Sequence, residues 1–155
     1  MSEKPADFYF DHIVVDSEHW SSAAQLELGA MKDFARQWDP LPIHLDDAAA
    51  HAAGFEGITA SGTYLLAVKN RLLYDFGFER TVIASFGFDE VRFRAPGRPG
   101  DIVRLRLRWV EKRLSKSRPA SGIARHYCEL TRDDGVALLS LYDTVMIATR
   151  PDFQD

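Results

Sequence analysis

The chain has 155 residues, 46% of them apolar, 27% charged and 12% aromatic, with a net charge of −4. That composition excludes disorder and fibrous repeats, and at this length a fold buries roughly 70% of the surface the unfolded chain would expose, so metal or disulfide staples are not needed. No uncharged apolar run approaches the roughly 20 residues a membrane-spanning helix requires.

The opening MSEKPADFYF is too acidic and aromatic for a signal peptide. The one cysteine, Cys128, has no second thiol for a disulfide or a redox pair. A single cytoplasmic domain over residues 1–155 is therefore expected, with Cys128 as a small core residue.

Short strands are expected around Ile13 to Asp16 and Ala24 to Leu28. Met31, Phe34, Ala35 and Trp38 then fall at helical spacing within Gly29 to Trp38. Asp39-Pro40 ends that helix, and Pro40 with Pro42 predicts a stiff, extended loop as far as His44. Asp46 or Asp47 can cap a short helix, Asp47 to Ala53, that stops at Gly54.

Ser61-Gly62 leads into a helix reaching Phe76 whose apolar residues surround most of its circumference, so it must be largely covered. From Thr81 onward the period falls to two, with strands expected at Thr81 to Val91, Ile102 to Lys112, Ile123 to Thr131 and Ala137 to Ile147. Pro96-Gly97-Arg98-Pro99-Gly100-Asp101, Pro119-Ala120-Ser121-Gly122 and Asp133-Asp134-Gly135 separate them. Helix and strands are segregated, which predicts an α+β layout with a curled antiparallel meander around one long helix.

Charge is unevenly spread. Residues 1–60 carry eleven acidic and three basic side chains, and residues 92–118 carry ten basic and two acidic. Arg104, Arg106 and Arg108 alternate with Val103, Leu105, Leu107 and Trp109, as on a half-buried strand with one solvated face. The same arginines, with Lys116 and Arg118, could instead meet an anionic partner. Nucleic acid is a poor fit to a pI of about 5.7 with no nucleic-acid-binding motif.

Two constellations could carry chemistry. Asp39 and His44 stand five positions apart on the proline-stiffened loop, a carboxylate and an imidazole suited to share one water; equally, Asp39 could end the helix and His44 be an ordinary loop histidine. Ser61-Gly62 opens the covered helix, whose first N–H groups could stabilise a developing oxyanion. Alternatively, Ser61 caps the helix and Gly62 permits close packing. His44, Asp46, Asp47 and His51 match no common metal-binding spacing, and His12, His19 and His126 have no neighbouring nucleophile in sequence.

The stretch Phe34-Ala35-Arg36-Gln37-Trp38-Asp39-Pro40-Leu41-Pro42-Ile43-His44, with Gly54-Phe55-Glu56-Gly57, Ala60-Ser61-Gly62, Arg98-Pro99-Gly100-Asp101 and Ser115-Lys116-Ser117-Arg118-Pro119, resembles the MaoC-like acyl dehydratases, which include (R)-specific enoyl-CoA hydratases. Asp39, Pro42 and His44 fall on the Asp, Pro and His of the family's D-x-N-P-x-H, and Leu41 replaces its asparagine. The resemblance implies a hot-dog fold, a curled sheet around a central helix, and a homodimer. It also implies reversible hydration of a trans-2-enoyl thioester in fatty-acid metabolism, with Asp39 and His44 as acid–base pair and the Gly62 N–H as oxyanion donor.

No separate cofactor or metal is implied, because CoA or an acyl-carrier arm arrives as part of the substrate. Ser61, Arg94, Arg98, Lys116 and Arg118 are candidate substrate-binding residues, the basic ones for phosphate. Neither nucleic acid nor membrane is an expected partner. A hot-dog thioesterase and a non-catalytic acyl-thioester-binding protein are the alternatives.

Overall fold

A computed structural model describes residues 3–152. In chain order its elements are β1 (Glu18–Trp20), β2 (Ala24–Gln25), α1 (Leu28–Trp38), α2 (Asp47–Ala52), α3 (Gly62–Leu73), β3 (Val82–Phe93), β4 (Ile102–Leu114), β5 (Ser121–Arg132) and β6 (Ala137–Ala148). Short 3-10 turns lie at Phe10–His12, Pro42–His44 and Tyr74–Phe76, the last continuing α3. The strands form one antiparallel sheet in the order β1-β4-β5-β6-β3, with β2 also on β4. This is the hot-dog arrangement, a sheet curled around α3.

Period-two patterning builds the sheet. Val103, Leu105, Leu107 and Trp109 of β4 are buried, and with Leu130, Leu139 and Leu141 they close on Leu65 and Leu72 of α3. Each such side chain contributes about 1.5–3 kcal/mol when fully buried. The intervening arginines face outward, two of them into ion pairs: Arg106 lies 2.6 Å from Glu18 and 3.4 Å from Glu129, and Arg108 lies 3.4 Å from Asp16. The solvated-face reading of these arginines therefore holds. Cys128 is buried, which pushes its thiol up to about 12. No helix among the described residues is long and apolar enough to cross a membrane.

The amino-terminal strands depart from expectation. Residues 13–16 are not a strand: Asp16 adopts a left-handed φ of 67°, and Ser17 returns both its N–H and its hydroxyl to the Val14 carbonyl. That turn delays the strand to Glu18. The second strand shrinks to Ala24–Gln25 because Leu28 already begins α1.

Enclosure of α3 has an electrostatic consequence. Lys69 points into the sheet with 0% exposure, and its ammonium lies 2.5 Å from the carboxylate of Asp143. The hydroxyl of Ser85 donates to the other carboxylate oxygen at 3.1 Å. His126 packs edge-on to Trp109 beside them, with Nε2 3.6 Å from Asp143.

Burial lowers the His126 imidazole to about 4, with Asp143 opposing the shift and Lys69 adding to it. The folded protein thus keeps His126 neutral where the unfolded chain takes up a proton below about pH 6.5. Stability is fully present above that pH and is lost as pH falls toward 4, by about 3 kcal/mol for this one group. Urea unfolding between pH 7 and pH 4 is expected to show that loss in the native chain and a shallower one in His126→Phe. Parallel curves would remove His126 as the source.

Candidate active site

The helix α1 ends at Asp39, whose N–H reaches back to the Ala35 carbonyl at 2.9 Å. Leu41 is extended, as the residue before a proline should be, but Pro42 then opens a 3-10 turn instead of prolonging the loop. Its fixed φ suits a first helical position, and the N–H it lacks would have been unpaired there. The turn carries His44 inward, where it is buried.

Backbone geometry dictates which imidazole nitrogen bears hydrogen. His44 Nδ1 lies 2.7 Å from the Thr59 carbonyl, which can only accept, so Nδ1 is the donor. In the neutral ring Nε2 is then a lone pair, and it faces Asp39 Oδ2 at 3.5 Å. Two acceptors at that separation cannot bond to each other, yet a water between them can donate one hydrogen to each. Asp39 keeps 30% exposure, so solvent reaches the pair.

Ser61 occupies the N-cap position of α3, but its side chain makes no cap hydrogen bond there. Its hydroxyl donates to Asp39 Oδ2 at 2.7 Å, and the Thr63 hydroxyl, 2.7 Å from Ser61 Oγ, completes a relay of donors that orients the carboxylate. Gly62 opens α3 beneath Phe93, and a Cβ there would sit 2.5 Å from that ring. The close-packing role thus has a physical basis here. It coexists with the free N–H groups that any first helical turn presents.

A cavity of about 330 Å³ adjoins this end of α3, lined by Phe55, Thr59, Gly62, Leu65, Phe93 and Arg94. Thr59 connects the two features: its carbonyl and its hydroxyl, 3.3 Å from Nδ1, both face His44, and the residue also borders the cavity. The aspartates beside the loop serve the backbone: Asp46 caps α2 through the Ala49 N–H at 2.8 Å, and Asp47 accepts from Ile58 N–H at 3.0 Å. His51 Nδ1 lies 3.1 Å from the Phe55 carbonyl.

The four basic candidates do not converge within one chain. Arg94 borders the cavity and donates to Ser140 at 2.9 Å, while Arg98 pairs with Glu56 at the same end of the sheet. Lys116 and Arg118 sit in the β4–β5 turn at the opposite end, beyond Leu114 and Gly122. The length of β4, at about 3.3 Å per residue, separates them. Sequence reasoning set these four together because they share a charge, which carries no information on where a strand's two ends lie.

It also missed Thr59, whose contribution is a main-chain carbonyl that no residue pattern reveals. Lys69, Asp143 and His126 were passed over for a related reason: they lie on three elements far apart in the chain.

Comparison with known proteins places this geometry. Residues 19–127 match the family described as MaoC like domain. The Protein MaoC of Klebsiella aerogenes is 34% identical over 82 residues, which are 53% of this chain and only 24% of that protein. The MaoC-like dehydratase from Rhodospirillum rubrum superimposes with a TM-score of 0.85 at 28% identity, over 93% of this chain and 99% of that one. An (R)-hydratase from Pseudomonas aeruginosa, at 18% identity, shares the fold with a TM-score of 0.76 over 96% of this chain and 93% of its own. A match across most of the chain, including the Asp39–His44 loop and the start of the enclosed helix, means that the chain belongs to the MaoC-like dehydratase family.

Proposed function

We propose that the chain catalyses reversible hydration of a trans-2-enoyl thioester to the 3-hydroxyacyl thioester. The observation that carries this reading is the locked imidazole: Nδ1 is committed to Thr59, leaving Nε2 and Asp39 Oδ2 3.5 Å apart as paired acceptors for one water. The water oxygen bonds to C3, and one of its protons passes to the pair. The C2–C3 π electrons move onto the thioester oxygen, facing the Gly62 N–H, and the pair returns a proton to C2. General acid–base groups supply about 10²- to 10⁴-fold and an oxyanion donor about 10²- to 10³-fold, so both parts are needed.

The carrier is CoA or an acyl-carrier arm, and two copies provide for its phosphates. The whole of β3 is a free sheet edge that exposes Phe86 and Phe93. Pairing β3 with β3 of a second copy about a two-fold axis satisfies that edge. Because the pairing is antiparallel, it turns the Lys116–Arg118 end of one copy toward the Arg94–Arg98 end of the other.

Asp39→Asn and His44→Gln are expected to slow hydration of crotonyl-CoA by 10²-fold or more, followed by loss of conjugated thioester absorbance, with melting temperature nearly unchanged. Retained activity in either overturns the acid–base assignment, and release of free thiol from a saturated acyl-CoA would replace the reaction with thioester hydrolysis. Ser61→Ala is expected to lower kcat by about tenfold while KM stays constant, since Ser61 orients Asp39 through one hydrogen bond worth about 1–2 kcal/mol. Light scattering should give twice the 17.5 kDa chain mass. The double variant Lys116→Ala/Arg118→Ala should raise KM and flatten its dependence on salt; an unchanged KM leaves these residues as solvated surface.

A further inference from the structure

An irregularity in β3 sets one wall of the cavity at Gly62. On β6, Leu139 and Leu141 share a face with Asp143, the face that Lys69 of α3 meets. Along β3, Asp89 pairs with Tyr142 and Arg92 with Ser140, so three residue steps on one strand oppose two on the other. The extra residue is a bulge, and Glu90 within it holds a left-handed φ of 52°. A glutamate is strained in that conformation, and such strain persists only where the surrounding structure imposes it.

The bulge decides which side chain faces the helix. Side chains alternate along a strand, so one inserted residue reverses every face beyond it. Unbulged pairing would set Arg92 opposite Leu139, on the side of α3. With the bulge, Phe93 takes that position and Arg92 is exposed.

Phe93 is turned toward the helix without being packed away. It is 56% exposed, and it lines the cavity with Phe55 and Leu65. Its ring tip reaches Gly62: a Cβ on that glycine would lie 2.5 Å from Cζ and 2.6 Å from Cε1, so the ring is in contact with the glycine main chain. Phe93 thus stands beside the residue whose N–H opens α3.

We propose that Phe93 is a specificity-determining residue, which restricts the site to enoyl thioesters that carry only hydrogen at C2. The proposal rests on the hydratase reading, which sets the thioester oxygen on the Gly62 N–H. C1 is then one bond from that oxygen and C2 two. The sulfur has to lead out to the carrier, and C3 has to meet the water between Asp39 and His44. The one position left at C2 is the one beside the ring, where a hydrogen fits and a methyl group collides.

The test compares hydration of crotonyl-CoA and of its 2-methyl derivative, tiglyl-CoA, by the native protein and by Phe93→Ala and Phe93→Leu. Native kcat/KM is expected to favour crotonyl-CoA. That preference should fall by about 10- to 200-fold in Phe93→Ala, the range that one methylene commands in a fitted pocket, with Phe93→Leu between. Comparing the preference across proteins removes the inherent difference in reactivity of the two thioesters. Equilibrium binding of butyryl-CoA and 2-methylbutyryl-CoA reads the same ring without turnover, and Phe93→Ala should narrow their gap in affinity by about tenfold. A narrowed gap in binding with no hydration of crotonyl-CoA by the native protein would keep the selectivity of Phe93 and remove the hydratase reading. A preference unchanged in both variants, by turnover and by binding, would overturn the proposal, and a halved mass in light scattering alongside it would assign the ring to contact between copies.

Discussion

One sheet encloses one helix, and most of the chemistry follows from that enclosure. The stripe of α3 that carries Leu65, Lys69 and Leu72 is buried against the sheet, so an ammonium on it must find a carboxylate indoors. Lys69 finds Asp143. Desolvating two charges costs more than an isolated contact returns, and such a pair survives only where further hydrogen bonds complete it, as Ser85 and Asn70 do here. Each end of α3 borders a hollow, while Thr63, Ala67, Asn70 and Arg71 face solvent along one side of the helix.

The end at Gly62 is organised by backbone. The Thr59 carbonyl selects the His44 tautomer, the Ser61 hydroxyl turns Asp39, and Pro42 begins the turn that brings the two together. Leu41 is exposed and contributes neither donor nor acceptor from its side chain. The Asp39 carboxylate accepts from the Ser61 hydroxyl, which lies 2.7 Å from that of Thr63.

The sheet was legible in the sequence because alternation of Val103, Leu105, Leu107 and Trp109 with arginine leaves a strand little choice of face, and the Gly- and Pro-rich turns marked where each strand stops. The helix itself was legible, but the all-round cover expected from its apolar residues is not found: Leu65, Lys69 and Leu72 are buried while Thr63, Ala67, Asn70 and Arg71 are exposed. The amino-terminal strands were not, because Val14 and Val15 look like strand residues while a left-handed backbone at Asp16 decides otherwise. The Asp39–His44 pair came from spacing and resemblance, whereas its geometry rests on a main-chain oxygen fifteen residues away. Lys69 lies in Val68-Lys69-Asn70-Arg71, where nothing sets it apart from Arg71; only the position of the sheet shows that this lysine points inward.

Strand order bears on how the molecule is assembled. Strands β4, β5 and β6 follow one another through short turns and form ladders between chain neighbours, so their hairpins close small loops at low entropic cost. The neighbour of β6 on its other side, β3, precedes β4 in the chain, and joining Val82 to Ile147 spans most of the sheet sequence. Such a ladder, broken by three register irregularities, closes a longer loop than either hairpin and costs more entropy to form. Both hollows are bounded by β3, and so both depend on that long-range pairing.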